Sequence, residues 1–474
     1  MQPLVEHRAN ALIASLDQRT VLGLPPRTTK VYALFFVAAF CFYALVWRQA
    51  PLVSADSQGY MQVADSLRHF RLGDQSLRPP GYPIVLALTG ASRRPTHTLL
   101  YVSMILHFVS IWLLAGVLAY LGLGHRALLT FAVLLLLPPY VEASAYVLSE
   151  NLSEFCLAAG LASLLYALFG KRTSLLWISS FFFAYAALTR PTFQAATLAL
   201  VGCLWITTYL RPSIALRSRD FKAASLILVL VPCGVVGAYS AMNYVKYGYF
   251  GSSAFSSGLN TRTVRFLERL PDRYATTREA LIRARNSDLV EGTSHTGYQS
   301  TGRALTDLQV IAGIPESRIA GHLLKIDLLL IAKAPLSYLQ EVGYAVSSYW
   351  FPRSTSLANL DSRFLQFGWA VVHFFVILCF GLQLIVLTGT ELLLLSRRVF
   401  ASSRPVALLE ATRCQMLAYY LALTLVVYTM LVSCLVQTGD PRFRMPTEPL
   451  IMVLIFLGTH IWINSVRRLS PDVT

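Results

Sequence analysis

Long apolar runs separated by short polar breaks dominate the chain. Ten of them can be read, at about 31–47, 97–121, 127–138, 151–169, 174–189, 192–210, 223–243, 366–395, 414–437 and 447–465. Most approach the ~20 residues that a helix needs to cross a bilayer. Lipid offers backbone N–H and C=O groups no partner, so such runs must satisfy their hydrogen bonds internally as helices. The pattern predicts an all-α polytopic membrane protein, a bundle of about ten transmembrane helices with interfacial helices in its outer loops.

Two stretches break the pattern. The first, 53–83, reads VSADSQGYMQVADSLRHFRLGDQSLRPPGYP. In it Tyr60, Val63, Ala64, Leu67 and Phe70 recur at helical spacing, which predicts a helix lying in the interface. Pro79, Pro80 and Pro83 then end that helix, and IVLALTGA is too short to cross. The second, 246–365, is the one long polar segment. Helical pieces are expected near 262–270, 276–286 and 303–312, and from Pro315 and Pro335, where proline suits a first helical turn. The expected organisation is a cytosolic tail (1–30), a seven-span module (31–245) with its first outer loop at 48–96, the long extracytoplasmic loop (246–365), and a three-span module (366–474).

Composition agrees. The chain has 474 residues, 55% hydrophobic and 14% charged, with a mean hydropathy of +0.55; soluble domains carry about 25% charged residues. The first thirty residues lack the apolar core of a secretory signal, so the N-terminus is expected inside. Ten spans then leave Arg126, Lys171, Arg172, the 211–222 cluster, Arg397, Arg398, Arg467 and Arg468 in the cytosol, as the positive-inside rule asks. The first outer loop departs from that rule with six arginines between 48 and 96, a hint of anion binding. The formal charge of +16 does not indicate nucleic acid, because no basic soluble domain or RNA-binding motif accompanies it. Inside-facing positive charge and an anionic lipid substrate explain it better.

The seven cysteines lie in or at the ends of apolar runs with no CxxC, and the nine histidines are scattered with no HExxH. No metal site is indicated, no cofactor is expected, and a divalent metal is unsupported. There is no P-loop, GxSxG or DxD run, so nucleotide chemistry on the cytosolic side has no support.

The same topology brings several polar features to one face. Acids and arginines at membrane depth are costly and tend to mark function. Asp56 stands at the mouth of the interfacial helix; it is either that helix's N-cap or a general base that takes the proton from an attacking hydroxyl. Arg78, stiffened by RPPGYP, and Arg190, after a span in ALTRP, are either headgroup anchors or ligands for a phosphate. Arg442 and Arg444 stand two apart in GDPRFRMP, close to Asp440. Glu150 is a helix-start acid or a second pocket carboxylate that orients the acceptor or a metal ion. Glu154 lies one turn further on the same face. Tyr60 and Tyr82, in the two first-loop motifs, complete the candidate substrate-contacting set.

At these residues the chain resembles the GT-C superfamily of membrane glycosyltransferases, above all bacterial polyprenyl-phosphate-sugar transferases such as the aminoarabinose transferases, and protein O-mannosyltransferases. SADSQGYMQVADSL looks like the first-loop motif, RPPGYP like the proline-rich motif, LSENLSEF with ALTRP like the paired motifs of two spans, and GDPRFRMPTEP like the C-terminal motif. The resemblance covers most of the membrane region but not 246–365. It implies a GT-C fold and inverting transfer of a sugar from a polyprenyl-phosphate donor to a lipid, glycan or protein acceptor outside the cytosol, in a bacterial cytoplasmic membrane. Asp56 matches the catalytic acid, and Arg78 and Arg190 match basic positions that hold the phosphate. The family's second acid is replaced here by Ser57, which weakens the case for direct metal binding. Two rivals keep the same arginines: a transporter or flippase of a lipid-linked saccharide, and a saccharide polymerase or ligase. Transporters favour midplane charges and internal repeats, neither of which is legible here.

Overall fold

The structure is a computed structural model. It describes residues 24, 26–47, 50–71, 78–170, 172–210, 218–247, 250–251, 255–290, 304, 306–351, 363–400, 410–437 and 439–469. Most of the expected cytosolic tail therefore lies outside the described residues.

Among the described residues the architecture is helical without strands. Eight helices are long and apolar enough to cross a membrane, and a ninth crossing arises if a bent pair, His125–Leu135 with Pro138–Ala145 at 61°, counts as one. The tenth expected span is a helix of only 16 residues, Ser174–Thr189. It ends where Arg190 and Pro191 stop it, because proline lacks the N–H that would continue the ladder. The helices used below are α1 (Pro26–Val46), α2 (Ala55–Arg68), α3 (Gly81–Leu88), α4 (His97–Tyr120), α5 (His125–Leu135), α6 (Glu150–Phe169), α7 (Ser174–Thr189), α8 (Ala196–Leu210), α9 (Ser218–Tyr247), α10 (Phe255–Thr263), α11 (Ala275–Val290), α12 (Glu316–Lys333), α13 (Pro335–Tyr349), α14 (Arg363–Phe400), α15 (Glu410–Val436) and α16 (Glu448–Leu469). The first begins at Pro26, earlier than expected from the apolar run, with proline in the first turn where its missing N–H costs nothing.

The core of the bundle is the α6–α7 hairpin. α4 packs on α6, and α9 packs on α7. On the other side α15 joins α8 to α16, which α14 also contacts. Small residues permit the close approach inside the hairpin: a Cβ at Gly160 would lie 3.1 Å from the Phe183 ring. In lipid, such close packing replaces the hydrophobic drive that is absent between apolar helices.

The interfacial helix forms as the spacing predicts. α2 buries Tyr60, Val63 and Ala64 and leaves Gln58 and Gln62 outward. α10, α11 and α12 build a second core around Leu267, Leu281, Leu323 and Ile326, apart from the core of the bundle. α13 lies against α15, and its Tyr338 hydroxyl donates to the Leu435 carbonyl at 2.6 Å.

Candidate active site

Two backbone contacts set the site. Leu52 N–H donates to the Ala145 carbonyl at 2.8 Å, and Val147 N–H donates to the Leu52 carbonyl at 2.9 Å. This short parallel bridge ties the start of α2 to the start of α6. Ser57 reinforces it, donating from its hydroxyl to the Val147 carbonyl at 2.8 Å. The position where the resembled family carries a second acid is thus fully buried and structural in this chain. The N-cap of α2 is Ser54. Asp56 is therefore not the cap; it sits inside the first turn, where the helix dipole favours its charge.

Arg78 is placed by the proline-rich turn. Its carbonyl accepts from the Tyr239 hydroxyl at 3.2 Å, and the Gly81 carbonyl accepts from Tyr185 at 2.9 Å. A Cβ at Gly81 would sit 2.6 Å from Thr189 Oγ1 and 2.8 Å from the Leu188 carbonyl oxygen. Glycine therefore lets the start of α3 touch the end of α7, next to Arg190. The Arg78 side chain crosses Gly59, where an added Cβ would meet its Nε at 3.3 Å, and lies over the Tyr60 ring at 5.0 Å. Tyr60 in turn meets Tyr82 edge to face at 5.2 Å.

These placements converge on one ion-pair network. Arg78 Nη2 reaches Asp56 Oδ1 at 2.7 Å, and Arg442 Nη1 reaches Asp56 Oδ2 at 2.9 Å. Arg442 Nε reaches Glu150 Oε1 at 2.5 Å, and Arg190 Nη1 reaches the same oxygen at 3.1 Å. Asp56, Arg78 and Arg442 have side chains 26%, 28% and 29% exposed, whereas Glu150 and Arg190 are at 1% and 7%. The network thus has a buried floor and an open mouth. Burial pushes the Asp56 carboxyl up, but the Arg442 and Arg78 guanidiniums together outweigh it and hold it below the usual carboxylate range. Three guanidiniums against two carboxylates leave one positive charge. That is a poor setting for a divalent cation and a good one for a singly charged phosphodiester.

The structure brings Asp56, Arg78, Glu150, Arg190 and Arg442 together and places Tyr60 and Tyr82 beneath them. It does not bring in Arg444 or Glu154. Arg444 is fully buried. It donates to the Tyr349 carbonyl, to Phe351 O at 3.2 Å and to Glu448 Oε1 at 3.2 Å, so the expectation that it holds phosphate is corrected: its donors are consumed in tying α13 to α16. Glu154 pairs with buried His107 at 2.7 Å, one turn below Glu150 and away from the mouth. Asp440 caps the turn instead of pairing with an arginine side chain, accepting from Arg442 N–H at 2.7 Å. Sequence reasoning named Ser57 but not its bond to Val147, and it missed Gly59 and Phe443, whose ring lies 5.2 Å from the Arg190 guanidinium. Only Ser54-x-x-Ser57 carried a local signal, a serine pair at capping spacing in which Ser54 N–H donates to Ser57 Oγ at 2.8 Å.

Comparison with solved structures agrees with this fold. The archaeal oligosaccharyltransferase AglB from Archaeoglobus fulgidus, solved with an inhibitory peptide and a dolichol-phosphate, superposes with a TM-score of 0.53 at 11% identity, over 95% of this chain and 52% of that one. The chain thus spans about half the length of that neighbour. ArnT from Cupriavidus metallidurans, solved with undecaprenyl phosphate, aligns at 14% identity over 93% of this chain and 80% of that one, with a TM-score of 0.36 too low to carry an argument. No family model and no curated protein matches the sequence. The likeness to AglB is one of fold: the chain shares the helical membrane architecture of that oligosaccharyltransferase.

Proposed function

We propose that the chain is a glycosyltransferase that moves a sugar from a polyprenyl-phosphate donor to a lipid, glycan or protein acceptor, with inversion, at the outer face of a bacterial cytoplasmic membrane. One observation carries this reading. Residues as far apart in the chain as Asp56 and Arg442 meet in a single network with one surplus positive charge. The solved complex of AglB with a dolichol-phosphate gives the same fold a precedent for such a ligand.

Transfer follows from the geometry. The donor phosphate enters the open mouth and draws Arg78 and Arg442 away from Asp56, exchanging carboxylate for phosphate at the same guanidiniums. Arg190, held on Glu150, stays as the fixed floor. Asp56, released from two ion pairs, becomes a stronger base. It accepts the acceptor hydroxyl's proton as the oxygen attacks the anomeric carbon. The bond from that carbon to the phosphate oxygen breaks on the opposite face, and its electron pair leaves with the polyprenyl phosphate. Prepositioned guanidiniums stabilise that developing charge without reorganising water. Tyr60 and Tyr82, both buried, support Arg78 from beneath. α10 is anchored close to the site, its Arg262 donating to the Gln437 carbonyl at 2.5 Å, just before the Arg442 turn.

The test is purified protein in nanodiscs with a polyprenyl-phosphate sugar, alongside mass spectrometry of surface lipids and glycans from cells with and without the chain. A glycosylated product that disappears with Asp56→Asn is the expected result. Full transfer by Asp56→Asn removes Asp56 from its role, and donor movement across vesicles without transfer ends the enzyme reading.

A further inference from the structure

The first loop's arginines are only partly absorbed by the Asp56 network, which takes Arg78. Four others, Arg68, Arg71, Arg93 and Arg94, gather on the opposite side of α2. There a groove of about 660 Å³ runs beside the helix, lined by Val53, Gln58, Met61, Gln62, Asp65 and Ser66 on one wall and by the 92–95 turn on the other, with His69 and Arg71 at its end. The wall is built, not incidental. Arg68 Nη1 donates to Ser92 Oγ at 3.2 Å, and Ser92 is buried. Arg93 Nε donates to Asp65 Oδ1 at 2.8 Å. The Arg68–Ser92 bond anchors the 92–95 turn along α2, and the exposed Arg93–Asp65 pair rests at the groove's edge with Arg94 beside it.

Helical spacing separates this groove from the Asp56 network. Gln58, Met61, Gln62, Asp65 and His69 recur at three and four residues on the outward face of α2, while Asp56, Tyr60, Val63 and Ala64 occupy the inward face. Asp65 also lies nine residues beyond Asp56, ~13 Å along the helix axis. At its Val53–Gln58 end, beside the N-terminus of α2, the groove approaches the network. A ligand seated in it does not occupy the donor's place.

Among the described residues the lining contains three arginines, Arg71, Arg93 and Arg94, and one acid, Asp65, a surplus of two positive charges. A phosphomonoester carries about −1.5 to −2 at neutral pH, and arginine meets phosphate oxygens in pairs. The groove's far end has a second mark. Phe70 is 97% exposed and is held at φ 55°, a left-handed conformation that is unfavourable for a non-glycine residue. A phenyl ring projecting freely beside a row of arginines suits a lipid surface, where aromatic rings settle at headgroup depth.

We propose that this groove is a second anion site, separate from the Asp56 network, that takes the phosphomonoester headgroup of a lipid-borne molecule in the same leaflet. Within the transferase reading, on which this one assignment rests, its occupant is the acceptor, held with its phosphate on Arg93 and Arg94 and the rest of its headgroup directed past Val53 toward Asp56. Arg93 exchanges Asp65 for the phosphate.

Binding is measured without any transfer chemistry, so an inactive protein still reports on the groove. The purified full chain in phosphatidylcholine nanodiscs is treated with phenylglyoxal, and modification of Arg71, Arg93 and Arg94 is followed by peptide mass mapping. Dihexanoyl phosphatidic acid is expected to slow modification at Arg93 and Arg94, and dihexanoyl phosphatidylcholine is not. Arg94→Gln should raise the concentration needed to protect Arg93 by about tenfold, the loss of one charge-assisted contact. Asp65→Asn should lower it, because the competing carboxylate is gone. Arg442→Gln should leave it unchanged. Equal protection by inorganic phosphate at the same concentration assigns the source as free phosphate and overturns the lipid-borne occupant. Equal protection by phosphatidylcholine, absence of protection, or an unchanged value in both Arg94→Gln and Asp65→Asn overturns the site itself.

Discussion

Arg442 and Arg444 stand two residues apart in the same turn, Pro441–Thr447, and do opposite things. Arg442 faces the open mouth, shared between Asp56 and Glu150. Arg444 points into the bundle, where its guanidinium lies 5.8 Å from the Tyr349 ring and 5.7 Å from the Trp350 ring and donates to two backbone carbonyls. Side-chain ion pairs at an opening can be exchanged for an incoming anion. Donors committed to buried carbonyls cannot be withdrawn without leaving those carbonyls unsatisfied. An arginine is thus available to a ligand when its partners are themselves replaceable, and exposure and partner type decide that.

The largest test of the exchangeable half is Asp56→Asn, which keeps shape and removes the base. Transfer should fall by about 10²–10⁴-fold with an unchanged thermal midpoint in detergent. A matching loss of stability would move Asp56 into the structural class with Arg444. Next is Arg444→Gln. It leaves Glu448 and His373 buried without their guanidinium, and breaking a buried pair costs about 3–5 kcal/mol. Thermal unfolding of the purified variant should show this as a lower midpoint, and any surviving folded protein should keep its donor KM. If instead the fold survives and donor binding is lost, the contrast between the two arginines collapses. Arg442→Gln should reverse that profile. Turnover should drop about 10²–10³-fold, the scale of losing one charge-stabilising donor, with only a modest stability change because Arg190 still covers Glu150.

The smallest effect concerns a buried acid without any arginine. Asp327 on α12 accepts from Thr263 at 2.5 Å and from Asn260 at 3.2 Å. Burial pushes its carboxyl up to about 7, against those two hydrogen bonds. The folded state therefore holds a proton that the unfolded chain has lost. Its contribution is fully present below about 4 and is lost as pH rises through about 7. Asp327→Asn should flatten that slope in thermal unfolding followed from pH 5 to 8. A slope unchanged by the substitution would show that Asp327 is not its source.

Much of this was readable from the chain. The ten apolar runs each became a helix, and the outward and inward faces of α2 follow from the three- and four-residue spacing of Tyr60, Val63, Ala64 and their polar neighbours. Helix starts at Pro315 and Pro335 fall where expected, since proline's constraint is local. The site was half legible. Asp56, Arg78, Glu150, Arg190 and Arg442 carried the signal of charge at membrane depth. That signal could not sort Arg442 from Arg444 or Glu150 from Glu154, because one turn of helix or one step of a tight turn changes what a side chain faces without changing its residue type. The groove beside α2 was foreshadowed only by an excess of arginines on the outer side.

By itself the sequence determined the class of fold and the inventory of charges, because hydrophobic length and helical periodicity act over a few neighbouring residues. Only the tertiary structure decided which charges meet. The Leu52–Val147 bridge and the Gly81 contact with Leu188 and Thr189 join segments about a hundred residues apart. Ion pairing depends on distances of a few ångströms, and no local pattern fixes such distances across the bundle.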